Sequence, residues 1–170
     1  SFDFSQIRTA FMKLTTIYPA VELVICGSGE LEKSLKSAFA GIPRVYFPGF
    51  INEEQSYVLR RHSMASLAPY KNTDDFKMSI PNKVIDSMAV SLPIITSLEG
   101  EVQKLIHECN IGIACTGASI DWYRAFELLL TDEQKRKIYA DNALNTYNQR
   151  FSYSTIYSQF VTKLVSLANE

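Results

Sequence analysis

The hydrophobic positions along the chain alternate between two periods. Residues 5–14 carry apolar side chains at the spacing of one helix face, and Pro19 closes this segment. Residues 21–26 form a short, mostly apolar run with several β-branched side chains, which is typical of a buried strand. Gly27 and Gly29 follow at once, as expected for a tight turn. The pattern therefore predicts a helix, a strand and a turn in succession.

The same alternation continues as far as residue 115. Acidic residues directly after Asn52 favour a helix capped by that side chain, whereas residues 70–80 lack an apolar period and are predicted as a loop. Pro81 can occupy the first position of the helix that follows. Further strands are predicted at 44–47, 64–68, 93–96 and 111–115, and further helices at 30–40, 83–90, 102–109, 120–130, 132–149 and 153–167.

Strands and helices follow each other at intervals of about 20–25 residues, which is the pattern of parallel βαβ units. We therefore predict an α/β fold with one doubly wound, Rossmann-like parallel sheet and a helical C-terminal tail, forming a single domain over residues 1–170. In such sheets ligands bind outside the carboxyl ends of the strands. Functional residues are expected in the loops at 27–30, 48–52, 69–83 and 96–102.

The composition narrows the class of protein. Among 170 residues, 46% are hydrophobic, and 17 basic against 18 acidic side chains give a net charge of −1. Such a chain has no overall field that attracts nucleic acid or anionic lipid, and no apolar run approaches the ~20 residues of a membrane span. Three cysteines without CxxC spacing and two histidines argue against a metal site. Reduced thiols favour a cytoplasmic location, and the start at Ser1 suggests a fragment of a longer protein.

Gly27, Ser28 and Gly29 form the first candidate site, which we call the 27–29 turn. Glycines between a strand and a helix let backbone N–H groups approach an anion, and the helix N-terminus adds partial positive charge. The full G-x-G-x-x-G pattern is absent, and Glu30 would repel a phosphate. A plain strand-to-helix turn remains the alternative.

A second candidate lies at the start of the predicted helix at 83–90. Ser79 and Asn82 offer polar side chains beside Ile80, and Lys83 supplies a point charge suited to phosphate. Asp86, one turn further, can accept hydrogen bonds from a vicinal diol such as that of a ribose. The alternatives are a capped helix with a solvated lysine, and an exposed aspartate paired with that lysine. Residues 60–62 are interpreted as a surface cluster.

Six collinear segments, covering nearly the whole chain, resemble the C-terminal domain of GT-B glycosyltransferases of family 4 (glycosyltransferases group 1). They are the strand and G-x-G turn at 23–31, the V-x-F-x-G strand at 45–50, the strand ending in proline at 65–69, the E-A-M-A-x-G-x-P-V-V segment at 86–95, the n-G-l-l strand at 110–113 and the closing r-F-s-w at 148–152. The P-x-K turn at 81–83 is similar to that of a subgroup of polysaccharide-assembly transferases.

The resemblance implies a domain that binds a sugar-nucleotide donor, while a separate N-terminal domain binds the acceptor and transfer retains the anomeric configuration. It places Asp86 on the donor ribose. The acid that the family has near the donor sugar falls on Met78, which cannot replace it, so no catalytic residue is assigned. The implied diphosphate contacts are Gly27, Ser28, Gly29, Ser79, Ile80, Asn82 and Lys83, and Gly49 and Phe50 border the base.

The function expected from this resemblance is sugar transfer from a nucleoside-diphosphate donor to a glycan or lipid-linked acceptor, in surface polysaccharide biosynthesis. No cofactor is expected, because the nucleotide sugar is itself a substrate, and the fragment alone is expected to be inactive. Peripheral contact at the inner membrane face is left open. The alternatives are a sugar-nucleotide epimerase of the same architecture and a non-catalytic domain that has lost the site.

Overall fold

The protein is described by a computed structural model that covers residues 2–168. Helices and short parallel strands alternate from Ser5 to Ala114, and helices alone follow. The elements are α1 (Ser5–Ile17), β1 (Leu23–Cys26), α2 (Glu32–Ala38), β2 (Val45–Gly49), α3 (Glu53–Arg61), β3 (Ser66–Ala68), α4 (Asp74–Lys77), α5 (Asn82–Ala89), β4 (Ile94–Thr96), α6 (Glu101–Cys109), β5 (Gly112–Ala114), α7 (Ser119–Thr131), α8 (Glu133–Thr146), a π-helical turn (Tyr147–Phe151) and α9 (Tyr153–Ala168).

The strands pair in parallel throughout, as the βαβ pattern predicts. β1 pairs with β2, and β4 lies between β3 and β5. Within residues 2–168 no hydrogen-bonded pair joins β1 to β3, so the strands form one group of two and one group of three. The predicted parallel α/β fold with a helical C-terminal tail is confirmed.

Strand β4 has helices on both of its faces. Ile94 packs with Val84 and Met88 of α5, whereas the neighbouring Ile95 packs in the cluster that contains α1 and α7, including Trp122. Successive side chains of a strand point to opposite faces, so one β4 backbone serves two hydrophobic clusters. This is the layering expected of a doubly wound fold.

Two local predictions are wrong. Residues 48 and 49 were expected to stop β2, but Pro48 and Gly49 continue it. β2 lies at a sheet edge and its register with β1 shifts there, which is where a proline is tolerated. The segment 70–80 is not a loop throughout, because the four-residue helix α4 forms with Asp74 and Asp75 in its first turn, where the helix dipole favours acids.

The C-terminal helix α9 carries no buried residue. Its large apolar side chains, such as Tyr157 and Phe160, are more than half exposed. Across residues 2–168, no helix has both the length and the apolar character that crossing a membrane requires.

Candidate functional site

A groove of about 1570 Å³ lies between the two strand groups. Leu23 and Ile25 of β1 and Leu67 of β3 line it with apolar surface. Five of the predicted site residues also line it: Gly27, Ser28, Gly29, Phe50 and Lys83. Arg60 and Cys26, which the sequence did not single out, line it as well. The groove therefore gathers residues that follow three different strands.

The 27–29 turn closes the carboxyl end of β1. The Gly27 N–H donates to the Gly49 carbonyl at 2.8 Å, so this amide joins the tips of β1 and β2 and is not offered to a ligand. Gly27 and Gly29 have φ angles of 127° and 144°, which L side chains rarely adopt, although a Cβ at either position would meet no atom within 4 Å. The turn therefore needs glycine for its backbone conformation and leaves open space above it.

Phe50 follows β2 directly. Its side chain is 77% exposed, which is unusual for a large aromatic residue beside an apolar groove. An exposed ring at a strand tip can stack on a planar ligand. Gly49 contributes its carbonyl to Gly27, as described above, and does not line the groove.

The segment between β3 and α5 is fastened to the loop after β4. The Asn72 side chain accepts from the Glu99 N–H at 2.8 Å and donates to the Ser97 carbonyl at 3.1 Å, and Lys77 pairs with Glu99 at 2.7 Å. A Cβ at Gly100 would lie 2.1 Å from the Lys77 carbonyl oxygen, so only glycine permits this approach. These contacts fix the short helix α4 beside the carboxyl end of β4.

Three residues of this segment are of interest from the sequence: Ser79 and Ile80 as predicted diphosphate contacts, and Met78 at the position of the family's acid. The Ser79 hydroxyl donates to the Asp75 carbonyl at 2.8 Å, so it serves the end of α4. Ile80 packs against the hydrophobic cluster around Met88, which gives it a structural role in this structure. Met78 is 75% exposed at the end of α4. Neither Ser79 nor Ile80 lines the groove.

Lys83 is the cation at the start of α5. The helix begins at Asn82, and Pro81 is its N-cap rather than the predicted first helical residue. The Lys83 Nζ lies 5.1 Å from the centroid of the Phe2 ring, a cation–π distance. Burial lowers the pKa of Lys83 below its ordinary value of 10.5, the nearby Cys26 opposes this shift, and the positive charge of Arg60 adds to it. Lys83 is thus an exposed residue whose ammonium lies against the Phe2 ring and close to Cys26, which directly precedes the 27–29 turn.

Asp86 pairs with Arg60 rather than with Lys83. The Arg60 Nη2 donates to the Asp86 Oδ2 at 3.3 Å, joining the last turn of α3 to the second turn of α5. Asp86 itself does not line the groove, but its side chain is 47% exposed beside Arg60, which does line it. Asp86 also helps burial to raise the pKa of Tyr70. The sequence interpretation of residues 60–62 as a surface cluster did not include the pairing of Arg60 with Asp86, and the alternative of an Asp86–Lys83 pair is not seen among residues 2–168.

Arg60 is the site residue that sequence reasoning missed. Its partner lies 26 positions away on another helix, and no local pattern marks such a pair. The neighbouring His62 is exposed, as expected for a surface residue, and its Nδ1 lies 2.8 Å from the Val58 carbonyl at the end of α3. Within residues 2–168, no three His, Cys, Asp or Glu side chains cluster as metal ligands would.

The fold and the site define a parallel α/β protein with a glycine turn at the carboxyl end of β1 and two cations, Lys83 and Arg60, along the same groove, an arrangement suited to a phosphorylated ligand. Residues 5–132 match the family model described as Glycosyl transferases group 1. The chain belongs to this family.

Solved structures share the fold. WaaG, a glycosyltransferase involved in lipopolysaccharide biosynthesis, is 16% identical with a TM-score of 0.72, over 94% of this chain and 44% of WaaG. HepE of Anabaena, in complex with UDP and glucose, is 19% identical with a TM-score of 0.73, over 93% of this chain and 44% of HepE. A TarM variant of S. aureus, in complex with Fondaparinux, alpha-GlcNAc-glycerol and UDP, is 10% identical with a TM-score of 0.75, over 94% of this chain and 32% of TarM.

The chain spans less than half the length of these three solved structures. No curated protein matches it.

Proposed function

We propose that this chain is the donor-binding domain of a retaining glycosyltransferase. The full-length enzyme would transfer a sugar from a nucleoside diphosphate to a glycan or lipid-linked acceptor in surface polysaccharide biosynthesis. Family membership supports the reaction class. The observation that carries the proposal is the gathering of the 27–29 turn, Lys83 and Arg60 around one groove, because a diphosphate needs amides and cations together.

Each part of the donor has a candidate partner. The free amides of the 27–29 turn and the Lys83 ammonium would hold the diphosphate, with Asn82 at the N-terminus of α5 nearby in the chain. The exposed Phe50 ring would border the base. Asp86 would accept hydrogen bonds from the ribose. UDP in the HepE and TarM structures supports a nucleoside diphosphate as the ligand class.

The domain would act by positioning the donor and stabilising the departing diphosphate, whose negative charge increases as the glycosidic bond breaks. A separate N-terminal domain would bind the acceptor, so this chain alone would bind donor and transfer nothing. No cofactor and no resident metal take part in the proposal, since the nucleotide sugar is a substrate. We place the enzyme in the cytoplasm, in peripheral contact with the inner membrane face.

One observation favours a second candidate. Met78 is exposed where the family resemblance places an acid near the donor sugar. A domain that binds nucleotide without supporting transfer would fit this substitution. The two candidates differ in the activity of the full-length protein and agree on nucleotide binding by this chain.

Calorimetric titration of the chain with UDP, GDP and their sugars tests the proposal. Asp86→Ala should lower the affinity for whichever nucleotide binds by about 10- to 100-fold, because one or two hydrogen bonds to a charged group are lost. Asp141→Ala, which removes an exposed acid from α8, is the matched control and should leave affinity unchanged. Absence of binding at roughly millimolar nucleotide, or equal affinity for the Asp86→Ala and wild-type proteins, would contradict the proposal.

A further inference from the structure

A side-chain pair links the last turn of α3 to α5. Arg60 donates from Nη2 to the Asp86 Oδ2 at 3.3 Å. The two helices follow different strands, β2 and β3, so the pair ties together the two strand groups that share no hydrogen bonds between β1 and β3. The Arg60 side chain is 26% exposed and that of Asp86 is 47% exposed. The cation is thus held at the groove while the carboxylate remains open to an incoming ligand.

The pair leaves part of the carboxylate for a ligand. A carboxylate accepts about four hydrogen bonds through its two oxygens, and the contact with Arg60 uses Oδ2. Among residues 2–168 no hydrogen bond to Oδ1 is seen, and the side chain as a whole is 47% exposed, so the carboxylate has acceptor capacity left for a ligand. A vicinal diol presents two hydroxyl donors to such an acceptor.

Folding stability gives little reason for this arrangement. Ion pairs with this degree of exposure contribute little to stability. Arg60 also lies close enough to Lys83 to disfavour its charged form, so the position carries an electrostatic cost that Asp86 offsets. A residue that is costly for folding and adjacent to a ligand groove is a candidate for a role in binding.

We infer that Arg60 is a positioning residue for ribose recognition, which holds the Asp86 carboxylate in one orientation so that it accepts from the diol of a bound nucleoside diphosphate. This inference rests on the proposed function and adds a residue to it. An aspartate that is already oriented loses less side-chain freedom when the nucleotide binds. Arg60 therefore acts through Asp86 and makes no contact of its own with the donor.

The test compares Arg60→Gln with Arg61→Gln in the 170-residue chain, using UDP, or GDP if GDP binds more tightly. Arg61 is exposed on the same turn of α3 and serves as the matched control. Arg60→Gln should weaken binding about tenfold, because nucleotide binding must then order an Asp86 side chain that is no longer held in place, and Arg61→Gln should bind like the wild-type protein. Arg60→Lys, which keeps the charge without the planar fork, provides a second variant if Arg60→Gln lowers the melting temperature of the free protein.

The 2′,3′-dideoxy form of the same nucleotide separates positioning from direct contact. It lacks the diol, so Arg60→Gln and wild-type protein should bind it equally, and Asp86→Ala combined with Arg60→Gln should bind UDP no more weakly than Asp86→Ala alone. A tenfold loss that persists with the dideoxy nucleotide would overturn the inference, since Arg60 would then touch phosphate or base. Equal UDP affinity of Arg60→Gln and wild type would overturn it as well. Either result leaves the proposed function standing, which fails only if wild type binds neither nucleotide or Asp86→Ala has no effect.

Discussion

At the scale of single residues, Lys83 has the environment that most distinguishes the groove. Its ammonium lies 5.1 Å from the centroid of the Phe2 ring and near Cys26, although the residue as a whole is exposed. Burial favours the uncharged amine, so the folded protein binds the proton less readily than the unfolded chain does. Between the lowered pKa and the ordinary value of 10.5, folding stability therefore rises with pH, because the cost of the buried charge is relieved.

Nucleotide affinity should change with pH in the opposite direction. The ammonium attracts phosphate and the amine does not, so UDP affinity should fall as the pH rises through the lowered pKa of Lys83, which lies below the ordinary value of 10.5. Lys83→Arg keeps its charge across this range and should show a flatter profile, measured by titration calorimetry. Two other ionisations could affect the profile: that of Cys26, whose pKa is raised above 9.0 by burial, and those of the nucleotide itself. Both occur equally with the two proteins, so the difference between the profiles reports on Lys83. Parallel profiles for the two proteins would show that Lys83 does not meet the phosphates.

At the scale of elements, helix α3 illustrates how a local signal positions a distant contact. The Asn52 side chain accepts from the Gln55 N–H at 2.8 Å, and the Gln55 side chain accepts from the Asn52 N–H at 3.0 Å, which completes a capping box. Arg60 and Arg61 occupy the last turn, where cations suit the helix dipole. The helix predicted from Asn52 is confirmed, and its end presents Arg60 to α5.

Removing the cap should destabilise α3. Asn52→Ala should lower the free energy of unfolding by about 1 kcal/mol, because a helix N–H loses its acceptor. Urea denaturation followed by circular dichroism measures this. Gln55→Ala removes the reciprocal bond, and the double variant should lose less than the sum of the two single losses, since both bonds belong to one motif. Strict additivity would mean that the box does not act as a unit.

Helix α4 illustrates the opposite situation. Its sequence carries no apolar period, and four residues form a helix that is marginal by itself. Contacts from the loop after β4 stabilise it, through Glu99 to Lys77 and through the close approach of Gly100. These partners lie about 20 residues away in the chain. The local sequence pattern does not contain them and therefore predicts a loop.

At the scale of the whole molecule, two hydrophobic clusters meet at β4. Ile94 belongs to the cluster with α5 and α6, and Ile95 to the cluster with α1 and α7. Both side chains are almost completely buried. Because one short strand supports both clusters, we expect them to unfold together even though the strands form two hydrogen-bonded groups.

The single tryptophan makes this testable. Trp122 is buried in the cluster with α1 and α7, so its fluorescence reports on that cluster. Ile94→Ala, in the other cluster, should cost about 2–5 kcal/mol and shift the urea midpoint of Trp122 fluorescence as far as that of circular dichroism. Ile95→Ala is the comparison within the cluster of Trp122. A fluorescence midpoint that does not move in Ile94→Ala would show that the two clusters unfold separately.

The sequence determined the strands, the longer helices and their order. Periodicity, prolines and glycines are local signals, and they placed the strands near residues 23–26, 45–49, 66–68, 94–96 and 112–114 as observed. Local rules also placed the 27–29 turn and Lys83 at the carboxyl ends of the strands, where they line the groove. Hydrophobic patterning and turn chemistry act between near neighbours, which is why the chain alone reveals them.

Only the tertiary structure decided which of these residues meet. It turned Ser79 and Ile80 away from the groove, engaged the Gly27 amide with Gly49, and brought Arg60 to Asp86. Each outcome depends on contacts between distant segments, whose geometry follows from helix packing and strand register rather than from the identity of adjacent residues. Arg60 and Asp86 are 26 positions apart, and the packing of α3 beside α5 brings them together. No local sequence pattern indicates such a pair.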